Sequence, residues 1–166
     1  MTREKWKDLL EGIGIVSIVA SLIFVGIETR NSTKQAVLTT QAIEISAYQD
    51  LLENINEMNM IALQDPEVSA FMFKVFSTSE ELTGVEKFRF DRTAFQRIRH
   101  GDMAFFHYQR GVIDEASLRS VLKIMRLNNP RMRAFWETYQ HTFIPAYRDY
   151  INNLIAEIDA TTGQAQ

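Results

Sequence analysis

The sequence predicts an all-α chain: an N-terminal transmembrane helix continuous with a long amphipathic helix, followed by a compact bundle of about five shorter helices. Three observations predict it. Residues 12–27 carry no charge. Helix-start signals recur between residues 65 and 145. No window alternates apolar and polar residues as a half-buried strand requires.

The first element is the uncharged run. With Leu9, Leu10 and Glu11 it makes a segment at 9–27, roughly 28 Å of helix at about 1.5 Å per residue, which just spans a bilayer core. Trp6 sits where an interfacial aromatic belongs, flanked by Arg3, Lys5 and Lys7. A cleaved leader would need small residues after the run, and Val25-Gly26-Ile27-Glu28-Thr29 is a poor cleavage site. A helix lying in the membrane surface would need a polar face, which 13–27 lacks. A buried core helix is the remaining competitor. Three basic residues precede the segment and two (Arg30, Lys34) follow it, a slight bias toward a cytoplasmic N-terminus and a periplasmic helical domain.

Residues 28–64 continue as the second element, because neither Gly nor Pro interrupts 27–65. Arg30-Asn31-Ser32-Thr33 is the weakest stretch. Leu38, Ile45, Tyr48, Leu52 and Ile55 recur on one side of this helix, with Glu53 and Glu57 opposite. The stripe needs a partner, either the later helices of the same chain or another copy.

The shorter helices follow from their start signals. Asp65-Pro66-Glu67 and Asn129-Pro130 each place a capping side chain before a proline at the first helical position. Thr83 with Glu86 makes a capping box, Asp114 is a further N-cap, and Pro145 opens the last helix. Gly111 ends a long periodic stretch. The predicted helices are 5–63, 66–77, 85–110, 115–127, 130–142 and 145–158. In domain terms these give a tail at 1–8, a membrane helix at 9–27, an amphipathic helix at 28–64, a helical domain at 65–160 and a disordered tail at 161–166.

The formal charge of −3 names no partner class, but it is unevenly spread. Residues 28–64 hold two basic and five acidic side chains, and residues 74–133 hold twelve basic and seven acidic. The two regions are expected to pack on each other. Nucleic-acid binding would need a surplus across the whole domain and is not expected. The absence of cysteine excludes disulfides, thiolate catalysis and cysteine metal sites.

The order of these pieces resembles a family of small bacterial single-pass inner-membrane proteins with a C-terminal helical domain. The residues that carry the resemblance are Glu28-Thr29-Arg30-Asn31-Ser32-Thr33 after the membrane helix, the Asp65-Pro66-Glu67 start, and Phe106-His107-Tyr108-Gln109-Arg110-Gly111. Phe135-Trp136-Glu137 and a last helix entered through Phe143 complete it. Nearly the whole chain is covered. The resemblance implies architecture and a bacterial inner-membrane location, and no activity. Family members carry arginines after the membrane helix, which implies a cytoplasmic domain, so the side of the membrane stays open.

Residues with chemical potential are few. His100 and His107 lie about 10.5 Å apart along one helix, too far to share a metal. Glu137 and His141 have ligand spacing but no second motif. All three histidines read as solvent-facing. No phosphate loop or nucleophile elbow is present, so no enzyme activity, cofactor or metal is expected. On the helix at 85–110 the apolar arc is read through Phe88, Phe90, Ala94, Phe95, Ile98, Phe105 and Tyr108. Asp91, Asp102 and Gln109 then project from its middle, as Glu44 does from the stripe of the preceding helix. These four form a candidate buried polar network or pocket, because a buried carboxylate is costly unless paired. Arg131, Arg133 and Arg148, or free backbone donors at a neighbouring helix N-terminus, are the expected partners of the two aspartates. The aromatic run Phe135, Trp136, Tyr139, Phe143, Tyr147 and Tyr150 reads as core.

The expected function is a membrane-anchored structural or interaction module that self-associates, with the bilayer, a second copy or another membrane protein as partner. The oligomer interface is expected at Gly14, Ser17 and Ser21 in the membrane and at Leu38, Ile45, Leu52 and Ile55 beyond it. The alternative is a membrane-tethered sensor binding a small ligand inside its bundle.

Overall fold

The structure is a computed structural model that describes residues 3–163. It is all-α, with no strand among the described residues. The helices are α1 (Arg3–Gln64), α2 (Pro66–Ser77), α3 (Gly84–Gln109), α4 (Glu115–Leu122), α5 (Pro130–Tyr139) and α6 (Pro145–Gly163). Short 3₁₀ turns at Lys123–Met125 and Gln140–Thr142 follow α4 and α5.

α1 runs unbroken through Arg30-Asn31-Ser32-Thr33. No residue there removes a backbone donor, and the Thr29 and Thr33 hydroxyls donate to the carbonyls of Val25 and Thr29 one turn back, at 2.8 and 2.9 Å. The chain divides into two units, 1–43 and 44–166. The described part of the first is helix alone, with Ile, Val, Leu and Phe side chains exposed along it, Val16 to 68% and Phe24 to 67%.

The second unit holds the core. α3 is its centre: Phe90, Ala94, Ile98, Ala104 and Phe105 are buried. Against them pack Leu51 of α1, Val75 of α2, Leu118 and Val121 of α4, Met132 and Trp136 of α5, and Tyr147 and Ile151 of α6. Aromatic pairs join these layers, with Tyr147 5.4 Å from Phe105, 5.8 Å from Phe143 and 6.0 Å from Trp136. The aromatic run is therefore core, with Tyr139 and Tyr150 at its half-buried margin.

The start signals form as their chemistry requires. Asp65 accepts from the Glu67 and Val68 amides, Asp114 from Ser117, and Asn129 from Arg131 and Met132. Thr83 and Glu86 close a capping box, and Lys74 at 2.9 Å from the Glu86 carboxylate helps lower its pKa to about 2. Gly111 turns the chain at φ +69°.

Helix ends differ from expectation in two ways. The element expected at 115–127 stops at Leu122 and tightens into a 3₁₀ turn, because Arg126 adopts φ 49° and no helix passes through a left-handed residue. At the other end α6 extends to Gly163, into the tail expected to be disordered at 161–166. Residues 164–166 lie outside the described residues.

The closest approach in the core is at Gly101. A Cβ there would stand 2.5 Å from the Tyr147 hydroxyl oxygen and 2.9 Å from both Leu122 Cδ2 and Met125 Sδ. The same Tyr147 hydroxyl donates to the Ile98 carbonyl at 3.0 Å. Gly101→Ala should destabilise the protein, since overpacking costs about 1–3 kcal/mol and a mid-helix alanine returns at most about 1 kcal/mol. Urea unfolding of the full chain measures it. In the double variant with Tyr147→Phe, which removes the clashing oxygen, the losses should sum to less than the two single values.

Candidate functional site

The residues predicted to form a buried polar network do not meet. Glu44 and Gln109 are exposed, which corrects their placement in a network. Asp91 and Asp102 lie on α3, about 16 Å apart along its axis. Each pairs one turn away on its own helix, Asp91 with Lys87 at 3.3 Å and Asp102 with Arg99 at 3.0 Å. Two of their three expected arginine partners are occupied elsewhere. Arg131 donates to the carbonyls of Lys74, Val75, Thr78 and Glu80, closing the end of α2. Arg133 holds Asp159 through two bonds of 2.8 Å and also reaches the Leu127 carbonyl.

The physical reason is a mis-centred face. Phe88 and Phe95 pull the apolar arc of α3 toward Asp91 and Asp102, yet Phe88 is 62% exposed. The arc that is buried runs through Phe90, Ala94, Ile98, Gly101 and Ala104. At about 100° per residue its middle falls on Gly101 and Arg97 lies inside it, whereas the aspartates fall beyond its edge.

Arg97 is the residue the sequence reading missed. It is 7% exposed, and among the described residues no carboxylate pairs with it. Its Nη1 donates to the Ile124 carbonyl at 2.8 Å, and its guanidinium lies 5.0 Å from the Phe76 ring centre. Its Nε is buried without a partner. Burial lowers its pKa to about 10, and the Arg126 charge adds to the effect. The signal that could have found it is its place within about 20° of Phe90 on the helix wheel.

His100, read as solvent-facing, is also buried, at 6%. Its Nε2 has no hydrogen-bond partner. Among the described residues no group of three His, Asp or Glu side chains could hold a metal ion.

Of the clefts on the second unit, two adjoin the residues discussed above. One, of about 360 Å³, is lined by Asp91 and Lys87 with Phe90, Arg131, Phe135 and Tyr139. Lys87 and Asp91 are paired with each other and Arg131 with backbone carbonyls; Glu81 also lines the cleft. The other, of about 380 Å³, lies between the end of α1, α2 and α3 and includes Arg89, Arg92 and Arg97. The predicted interface residues are divided. Leu38 and Ile45 are exposed, at 55% and 60%, and Leu52 is exposed, whereas Ile55 packs on the core of its own chain. Gly14 has open space where a Cβ would stand, and the Ser17 hydroxyl donates to the Ile13 carbonyl at 2.9 Å. Ser21 is exposed beside them.

No family model, curated protein or solved structure matches the chain.

Two outcomes follow. Asp102 loses only a pair with an exposed arginine on substitution, so Asp102→Ala should cost less than about 1 kcal/mol in urea unfolding. The loss of about 1–3 kcal/mol expected of an orphaned buried donor would restore the network. His100 gives a pH dependence. Burial holds its pKa below the usual value, with the Leu51 backbone opposing. In the unfolded chain the imidazole takes a proton near pH 6.5, and in the folded chain it resists. Stability should therefore fall as pH drops through about 6.5 toward the lowered folded value. The urea midpoint should be lower at about pH 5.5 than at 7.5, and His100→Gln should flatten that difference.

Proposed function

We propose that this chain is a membrane-anchored helical interaction module of the bacterial inner membrane, crossing the bilayer once through 9–27 and associating with further copies. One observation carries the reading. α1 is long and apolar enough to cross a membrane, and none of its most apolar stretch is buried inside the molecule. Fifteen residues from Ile13 to Ile27 without a charge would expose a large apolar surface to water. Lipid removes that penalty. The Ser17 and Thr29 hydroxyls donate to carbonyls one turn back, as suits a medium without water.

Self-association is supported by the small-residue face. Gly14, Ser17 and Ser21 lie within about 60° of one another around the helix. Helix backbones can approach closely there, and such approach drives association in lipid. Beyond the membrane the amphipathic stripe serves two partners. Leu51 and Ile55 are used by the chain's own core, and Leu38, Ile45 and Leu52 remain for another subunit or membrane protein. The excess of basic residues before the anchor favours a periplasmic helical domain.

Carbonate extraction should leave the full chain in the membrane pellet, and its release would end the reading. Cross-linking in native membranes should yield oligomers that Ser17→Leu with Ser21→Leu reduces several-fold while insertion is unchanged. A wild-type chain that cross-links only as a monomer would refute self-association. Because the chain has no cysteine, Ser120→Cys supplies a single exposed thiol. An impermeant maleimide should label it in intact spheroplasts, and protection until lysis would place the domain in the cytoplasm.

A further inference from the structure

We propose that the groove between the end of α1, α2 and α3 binds a single-chain amphiphile: an acyl chain with a carboxylate or phosphate head. The groove belongs wholly to the second unit, so the inference does not rest on the anchor. Its two walls differ in chemistry. Met58 and Ile61 of α1 with Val68, Phe71 and Met72 of α2 make one wall apolar. The α3 wall presents Arg89, Arg92, Gln96 and Arg97, positions that recur at helical spacing on one side. Phe88 and Ile61 stand exposed at the rim.

The polar wall lacks an anion. Arg89 and Arg92 form no ion pair among the described residues, and Arg92 leans on the Phe88 ring at 5.4 Å. Arg97 lines the core-side edge, more than nine-tenths buried, with a carbonyl on Nη1 and nothing on Nε. A buried guanidinium without a carboxylate is costly, and an acidic head group would complete it with charge-assisted hydrogen bonds. Two acidic side chains also line the groove. Asp65 is committed to the α2 amides, which leaves Glu67 against three arginines. The balance selects an anion.

Size selects the acyl chain over a docked helix. The groove holds about 380 Å³. A helix about 10 Å across fills such a volume with roughly one turn, too little for an interface of about 800 Å² per partner. An extended hydrocarbon chain fits between Phe71, Met72 and Phe88, with its head toward the arginines. The volume also falls in the range of about 300–1,000 Å³ usual for small-molecule sites.

The test uses the full chain in nanodiscs of phosphatidylcholine, with photoreactive palmitic acid, photoreactive lysophosphatidic acid and the matching palmityl alcohol as probes. Cross-linked peptides are mapped by mass spectrometry. At least one acidic probe should label the peptides containing Phe71, Met72 or Phe88 tenfold or more above the alcohol. Which acid labels more strongly identifies the head group. Arg89→Gln with Arg92→Gln alters only exposed side chains and should reduce that labelling tenfold with the melting curve unchanged. Arg97→Met should do the same where it folds. Equal labelling by the alcohol, labelling confined to 9–27, or indifference to the double substitution would overturn the proposal. So would labelling of the groove by a photoreactive acidic helical peptide but by neither acid.

Discussion

Short helices end often, and each end leaves carbonyl groups without partners. That constraint organises the second unit, where α2, α4 and α5 are only 12, 8 and 10 residues long. Arginine answers it. Arg131 gathers four carbonyls at and beyond the end of α2, Arg97 takes the Ile124 carbonyl and Arg133 that of Leu127. A buried acceptor left unpaired costs about 1–3 kcal/mol, so these side chains stabilise the end of α2 and the turn that follows α4. They also tie α2 to α5 and α3 to the turn after α4. Both clefts open between elements placed in this way.

The basic surplus of residues 74–133 takes its meaning from the same constraint. Read as side chains alone, it calls for acidic partners, and α1 offers them. Among the described residues no ion pair joins the α1 acids to that region. Backbone carbonyls, together with Glu86, Glu157 and Asp159, absorb part of the charge instead, and Arg89 and Arg92 keep theirs. Acceptors on the main chain have no letter in a sequence, so a charge count assigns their donors to the wrong partner.

The same contrast separates what was legible from what was not. Asp65, Thr83, Asp114 and Asn129 act on amides two or three residues away, and those caps could be read directly. The aromatic run between Phe135 and Tyr150 could be read because its spacing leaves few faces to choose from. The α3 face could be read only in part, because one exposed ring, Phe88, outweighed the small residues Gly101 and Ala104 that, with Ala94, mark the true contact. Arg97 was lost with them. The pairs of Asp91 with Lys87 and Asp102 with Arg99 were within reach of the sequence, at one-turn spacing, but distant arginines drew attention first.

The tight contact at Gly101 has a counterpart in α2, which contributes one fully buried side chain, Val75. Around Gly101 there is no room for a methyl group, so the amides of that turn can reach solvent only when the whole domain opens. α2 packs less deeply, with Phe71 and Phe76 half-buried against the core and its far end held by Arg131. The apolar wall of the groove therefore includes a helix with fewer fully buried side chains than α3. A ligand that needed more room in the proposed groove would displace α2 before α3.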